Sequence, residues 1–117
     1  MHELGLCASI VDAVEQRAGG RPVARVRIRV GRLHHVHPEA FDQSFAIAAM
    51  GSVAEDATAE LVLLPVSVRC SSCGATSGSD ELPSACPECS GVDLEIVGGD
   101  ELILESLEYR EPLPVDG

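Results

Sequence analysis

Four of the chain's five cysteines stand as two C-x-x-C pairs, Cys70-Ser71-Ser72-Cys73 and Cys86-Pro87-Glu88-Cys89, separated by the twelve residues Gly74 to Ala85. Each pair can place two thiolates on one tight turn. Gly74 and Gly91, just after the pairs, are expected to let the backbone bend so that four sulfurs converge as a tetrahedron. Such a set suits zinc or iron, and redox-silent zinc is the usual occupant of a closed structural site. Four thiolates leave no open position for water, which disfavours a hydrolytic centre. Redox chemistry by two separate dithiols is the competing use of the same residues, and a zinc clip without further function is another. The metal is expected to stabilise its segment by about 10 kcal/mol or more, because the segment is too poor in apolar residues to fold alone.

The histidines are the second set. A free Met1 amine, the imidazole of His2 and the deprotonated backbone amides of His2 and Glu3 can chelate one ion in a planar, nitrogen-rich geometry that suits Ni(II) or Cu(II). On spacing alone, His2 reads first as a mobile surface residue. His34, His35 and His37 crowd Leu33-His34-His35-Val36-His37-Pro38-Glu39, either as further imidazole donors or as solvated loop residues. Cys7 lies on an apolar helical stripe and reads as a small buried hydrophobe.

The rest of the composition narrows the function. The 117 residues allow one compact domain with a small module attached, and 8 basic against 19 acidic residues give a net charge of −11, all eight basic residues being arginine. Polyanions are held by clustered cations, so nucleic acid and anionic membrane are disfavoured partners. Two Phe, one Tyr and no Trp leave few faces for stacking bases. The N-terminus lacks a secretory pattern, no apolar run is long enough to span a bilayer, and an odd cysteine count dominated by C-x-x-C pairs fits a reducing compartment. The expected location is the cytoplasm. No nucleophile, phosphate loop or open metal triad marks an enzyme.

Elements follow from periodicity. Leu4, Cys7, Val11, Val14 and Ala18 recur at helical spacing and stop at Gly19-Gly20. In Val23 to Gly31, Val26, Ile28 and Val30 alternate with Arg25, Arg27 and Arg29, the pattern of a strand with one buried face. Like charges on one face repel, so glutamates on a neighbouring strand, drawn from Glu101, Glu105 and Glu108, are expected opposite them. Pro38 opens a second helix that should bury Phe41, Phe45 and Ala48 and end at Gly51. Glu60 to Arg69 reads as a strand disturbed by Pro65, and Leu94 to Val97 and Glu101 to Tyr109 read as strands joined by Gly98-Gly99. This order implies an α+β fold: a small, mainly antiparallel sheet with two helices on one face and an inserted four-cysteine zinc-ribbon module. The expected domains are residues 1–69 together with 92–110, an inserted zinc-binding module at 70–91, and a flexible tail at 111–117.

Met1-His2-Glu3-Leu4 at the start, Val30-Gly31-Arg32-Leu33, the Pro38-Glu39-Ala40-Phe41 helix start, the paired C-x-x-C module, Gly99-Asp100-Glu101-Leu102 and Ser106-Leu107-Glu108 together resemble the HypA/HybF family of hydrogenase nickel-insertion proteins. The resemblance covers residues 1 to about 110. It implies that residues 1–69 with 92–110 form a nickel-binding body, with His2 anchoring Ni(II) alongside the Met1 amine and the backbone of Glu3. Cys70, Cys73, Cys86 and Cys89 then hold structural zinc. It implies a nickel metallochaperone, not an enzyme, that serves the large-subunit precursor of nickel-iron hydrogenase with a partner GTPase, urease maturation proteins being further candidate partners. The chain would act as a monomer or homodimer. His37 stands where the family commonly carries Glu or Asp, so an imidazole would replace a carboxylate if that position reaches nickel. The alternative function is a zinc-ribbon interaction or regulatory module without a nickel role.

Overall fold

The structure, a computed structural model, describes residues 2–110, the side chain of His2 excepted. Along the chain run α1 (His2–Ala18), β1 (Val23–Gly31), a 3-10 turn (Arg32–His34), α2 (Pro38–Ala49), β2 (Thr58–Leu64), β3 (Val66–Cys70), β4 (Thr76–Ser79), β5 (Leu94–Gly98) and β6 (Leu102–Tyr109). Two helices thus accompany two three-stranded sheets, ordered β2-β1-β6 and β4-β3-β5, in the expected α+β class. The described residues form two compact units. One runs through Ile28, then Val36–Leu61, then onward from Leu104; the other comprises Arg29–His35 and Val62–Ile103. The tail expected at 111–117 lies outside the described residues. No described helix is long and apolar enough to cross a membrane.

In the first unit the periodic residues meet in one core. Cys7, Ile10, Val11, Val14 and Ala18 of α1 are buried, as are Phe41, Phe45 and Ala49 of α2 and Val23, Val26 and Ile28 of β1. The rings of Phe41 and Phe45 stack one helical turn apart, with centroids 6.2 Å apart. Ala49, not the expected Ala48, fills the third core position of α2, one step round the helix. Gly19 and Gly20 end α1 with φ of 58° and 90°, values that favour glycine. A Glu15 carboxylate oxygen accepts the Val53 amide at 2.9 Å and ties α1 to the loop after α2.

The outward face of β1 carries the expected charge pairing, with one change of partner. Arg25 meets Glu108 at 3.3 Å and Glu60 at 3.7 Å. Arg27 meets Glu105 at 2.6 Å and Glu60 at 3.8 Å. β1 is the central strand, so its arginines draw carboxylates from both neighbours, and Glu60 of β2 joins Glu105 and Glu108 of β6. Glu101 does something else: its carboxylate accepts the Gly99 amide at 2.8 Å. All these groups are at least one-third exposed, so each pair contributes at most about 1 kcal/mol.

In the second unit β3 pairs antiparallel with both neighbours, and Arg69 stands opposite Glu95 in that register. Pro65 separates β2 from β3 and marks where the chain leaves one sheet for the other. A residue without an amide hydrogen cannot continue the first ladder. The Gly31 amide donates to the Glu101 carbonyl at 2.8 Å, and the Leu33 amide to the Gly99 carbonyl at 2.8 Å. The two backbones are so close that a Cβ on Gly31 would overlap the Gly99 carbonyl. Gly99 itself has φ of 114°, and a Cβ there would lie 2.8 Å from Val66 Cα.

Gly31→Ala is therefore expected to destabilise the protein by about 3 kcal/mol or more in urea unfolding, because backbone would have to move on both sides. Arg27→Gln is expected to cost less than about 1 kcal/mol, and the loss should shrink as salt is added.

Candidate metal centre

The cysteine segment closes by two similar knuckles. In the first, Cys70 is the last residue of β3, its amide donates to the Ala75 carbonyl at 2.9 Å, and its carbonyl accepts the Gly74 amide at 2.8 Å. In the second, the Cys86 amide donates to the Gly91 carbonyl at 2.7 Å and its carbonyl accepts the Ser90 amide at 2.8 Å. The residue four places after the leading cysteine is left-handed in both, Gly74 at φ 77° and Ser90 at φ 64°. The bend assigned to Gly91 from the sequence thus belongs to Ser90. Gly91 supplies room instead: a Cβ there would lie 3.2 Å from Cys89 Sγ and 3.5 Å from Cys70 Sγ.

These turns bring the sulfurs of Cys70, Cys73, Cys86 and Cys89 within 4.8 Å of one another. Cys70 and Cys89 are 3.6 Å apart, as are Cys73 and Cys86. Four sulfurs about 2.3 Å from a central ion form a tetrahedron with edges of about 3.8 Å, so the set fits a tetrahedral thiolate site with little adjustment. Backbone amides support it: Glu88 N–H points to Cys86 Sγ at 3.4 Å and Gly91 N–H to Cys89 Sγ at 3.4 Å. These amides are second contacts that the C-x-x-C spacing did not specify residue by residue.

Ionisation shows why the cluster calls for a cation. The Cys73 amide above all, aided by neighbouring groups, lowers the Cys70 thiol to about 7. At Cys89 the Gly91 amide favours the thiolate, but the adjoining sulfurs of Cys70 and Cys73 outweigh it and push the thiol up to about 12. The Cys73 thiol is also raised: the Ala75 amide draws it down, and the Cys86 sulfur and desolvation overcome that pull. One thiolate forms readily, while further negative charge at this spacing needs a positive ion among the sulfurs.

The other sequence candidates divide between the two units. Glu3 and His37 belong to the first, and a Glu3 carboxylate oxygen lies 3.5 Å from the His37 amide that precedes α2. Met1 and the side chain of His2 lie outside the described residues. His34 and His35 belong to the second unit, where His34 Nε2 lies 2.9 Å from the Asp100 carbonyl. Cys7 is fully buried, with its thiol 3.6 Å from the Phe41 carbonyl. Burial, then the carboxylates of Glu3 and Asp42, push that thiol up to about 11. Among the described residues, the four cysteines form the one group of three or more His, Cys, Asp or Glu side chains gathered closely enough to hold an ion.

Comparison with known proteins gives a matching picture. A family model described as "Hydrogenase/urease nickel incorporation, metallochaperone, hypA" matches residues 1–109. A hydrogenase maturation factor HypA of Rhodopseudomonas palustris strain BisB5 is 38% identical over 111 residues, 92% of this chain and 98% of the relative. One of Desulfitobacterium hafniense strain DCB-2 is 36% identical over 114 residues, 95% of this chain and 100% of the relative. The solution structure of the Ni metallochaperone HypA from Helicobacter pylori superposes with a TM-score of 0.68 at 25% identity, covering 93% of this chain and 97% of that one.

Because Cys73 and Cys89 hold their protons without a cation, metal uptake must release at least those two. Apparent affinity for Zn(II), measured by chelator competition, is expected to rise at least about 100-fold per pH unit between pH 7.5 and pH 8.5. Gly91→Ala, which crowds Cys89 and Cys70, is expected to weaken the same affinity about tenfold while Ser90→Gly leaves it intact.

Proposed function

The chain belongs to the HypA family of metallochaperones for nickel incorporation into hydrogenase and urease, and on that premise we propose that it carries Ni(II) at its N-terminus. The proposed donors are the Met1 amine, the His2 imidazole and the backbone amides of His2 and Glu3, with His37 as an added imidazole donor. Nitrogen donors in a plane suit Ni(II), whose preferences separate it from zinc. The observation that supports this reading is the contact between the Glu3 carboxylate and the His37 amide, 3.5 Å. It joins the first turn of α1, which carries Glu3, to the start of α2, which follows His37. Glu3 and Asp42, both close enough to act on Cys7, add negative charge that favours a dication in this neighbourhood.

Zinc is the proposed resident ion of the sulfur site, held by Cys70, Cys73, Cys86 and Cys89. It supplies no reaction there and cross-links two turns of chain. Nickel is cargo and must leave. We assign its recipient as the large-subunit precursor of nickel-iron hydrogenase, approached with a partner GTPase, with urease maturation proteins as the parallel route. A chelate made from a chain end gives up its donors one at a time to an incoming ligand set, which a closed four-sulfur site does not.

Titration of the untagged protein with Ni(II) tests this directly. The chain beginning at its own Met1 is expected to bind at least about tenfold tighter than a version with one residue added ahead of it, because the addition converts the amine to an amide. His37→Glu is expected to change the pH dependence of nickel binding, a carboxylate titrating well below an imidazole. Equal binding by all three proteins would overturn the N-terminal assignment and favour an interaction module without nickel.

A further inference from the structure

Between α1 and α2 runs an open groove of about 380 Å³, whose lining includes Ala8, Asp12 and Glu15 of α1, Ala48 of α2 and Ser52 just after it. Positions 8, 12 and 15 recur at helical spacing and form one stripe along α1. Alanines at 8 and 48 leave free the space that longer side chains would fill. The last turn of α2 adds apolar surface: Ile47, next to Ala48 in the chain, is 58% exposed, and Met50, which caps the helix, is 69% exposed. Among the described residues of the first unit, no other large hydrophobic side chain is so exposed. Apolar surface beside a groove marks a place where another chain can lie.

Charge selects the occupant. Residues 2–20 and 36–57, which hold both helices and their flanking turns, carry seven acidic residues against one basic residue, Arg17. Arg17 is turned to the Leu104 carbonyl, to which it donates at 3.0 Å. The outward arginines of β1, by contrast, are matched by glutamates, so the unit's uncompensated negative charge lies on its helices. Within the groove Glu15 is committed to the Val53 amide, while Asp12 is exposed and makes no hydrogen bond or ion pair with another described residue. We propose that this groove docks a cationic amphipathic helix of a partner protein, which sets an apolar side chain between Ala8 and Ala48 and a lysine or arginine against Asp12. A second copy of this chain is a poor occupant, because it brings the same acidic helices and not one lysine. A polyanion is repelled, and one uncommitted carboxylate does not make a cation site. The inference is independent of the nickel assignment.

The probe is a synthetic helix of leucine and lysine about 18 residues long, with one apolar and one cationic face, titrated into the full, metal-loaded, nitrogen-15-labelled chain. It is expected to shift the amides of Ala8, Asp12, Ala48 and Ser52 and to saturate below about 1 mM, whereas counterparts with glutamate for lysine or serine for leucine do not. Asp12→Lys and Ile47→Ser, both at exposed positions, should each weaken binding at least about fivefold with circular dichroism unchanged. Glu81→Lys, the same change of charge in the second unit, should weaken it less than about twofold. Should a variant misfold, the map of shifted amides in the unaltered chain decides. The proposal is overturned by an absence of saturation at about 1 mM, by shifts spread over the acidic surface of both units, by equal binding of the serine counterpart, or by equal losses in Asp12→Lys and Glu81→Lys. Groove shifts that appear without peptide as the protein is concentrated would give the groove to a second copy and overturn it as well.

Discussion

Four sulfurs within 4.8 Å of one another are a charge problem before they are a structure. The first thiol ionises near pH 7, and the sulfurs beside Cys89 hold its proton up to about 12. A divalent cation reverses that balance, and only with it are four thiolates favoured at this spacing. The consequence reaches beyond the knuckles, because Cys70 is also the last residue of β3 and stands opposite Leu94 of β5. Metal binding and closure of the second sheet share a residue. The binding free energy of the ion is in this way folding free energy of the surrounding strands.

The first unit is held by different means. Its core is continuous aliphatic and aromatic packing around Cys7, Val14, Val26, Ile28, Phe41 and Phe45, all fully or almost fully buried. The charged ladder on the other face of β1 adds little stability, since both partners of each pair reach solvent. Its effect is on register. A shift of β1 by one residue would turn Arg25 and Arg27 into the core and Val26 and Ile28 out of it, and would leave Glu60, Glu105 and Glu108 opposite apolar groups.

How much of this could be read from the sequence depends on whether a residue's role is local. Helix α1, strand β1, the start of α2 and both C-x-x-C knuckles carry their signals within a few residues, and each lies where periodicity or spacing put it. Pro65 announced a disturbance, but its neighbours Leu64 and Val66 are both strand formers, and nothing local says that they belong to different sheets. β4 was invisible because Thr-Ser-Gly-Ser has no apolar alternation; β3 alone makes it a strand. Glu60 was missed as an arginine partner because the central place of β1 is a property of topology. Ser90 took the left-handed position expected to need glycine, since the knuckle's hydrogen bonds to Cys86 outweigh a strain of about 1 kcal/mol. Gly31 is a glycine for lack of room against Gly99, a neighbour distant in the chain, and Gly91 for lack of room among Cys89, Ser72 and Cys70, which meet only once both knuckles close.

Within the proposed function, the buried thiol of Cys7 bears on how one chain keeps two metals apart. It lies on the same helix as Glu3, one turn along, and a free thiolate there would be a soft, strongly binding donor near the N-terminal nickel ligands. Burial and the charges of Glu3 and Asp42 keep it protonated up to about pH 11, and its hydrogen points at the Phe41 carbonyl. At neutral pH, therefore, the N-terminal region offers nitrogen and oxygen donors while sulfur is concentrated in the knuckles. On the proposed assignment, zinc would be retained where four thiolates enclose it, and nickel would be held by donors that a partner can displace in sequence, outside a sulfur trap from which delivery would be slow. Separation of the two ions would then rest on donor chemistry and on the suppressed acidity of one core cysteine.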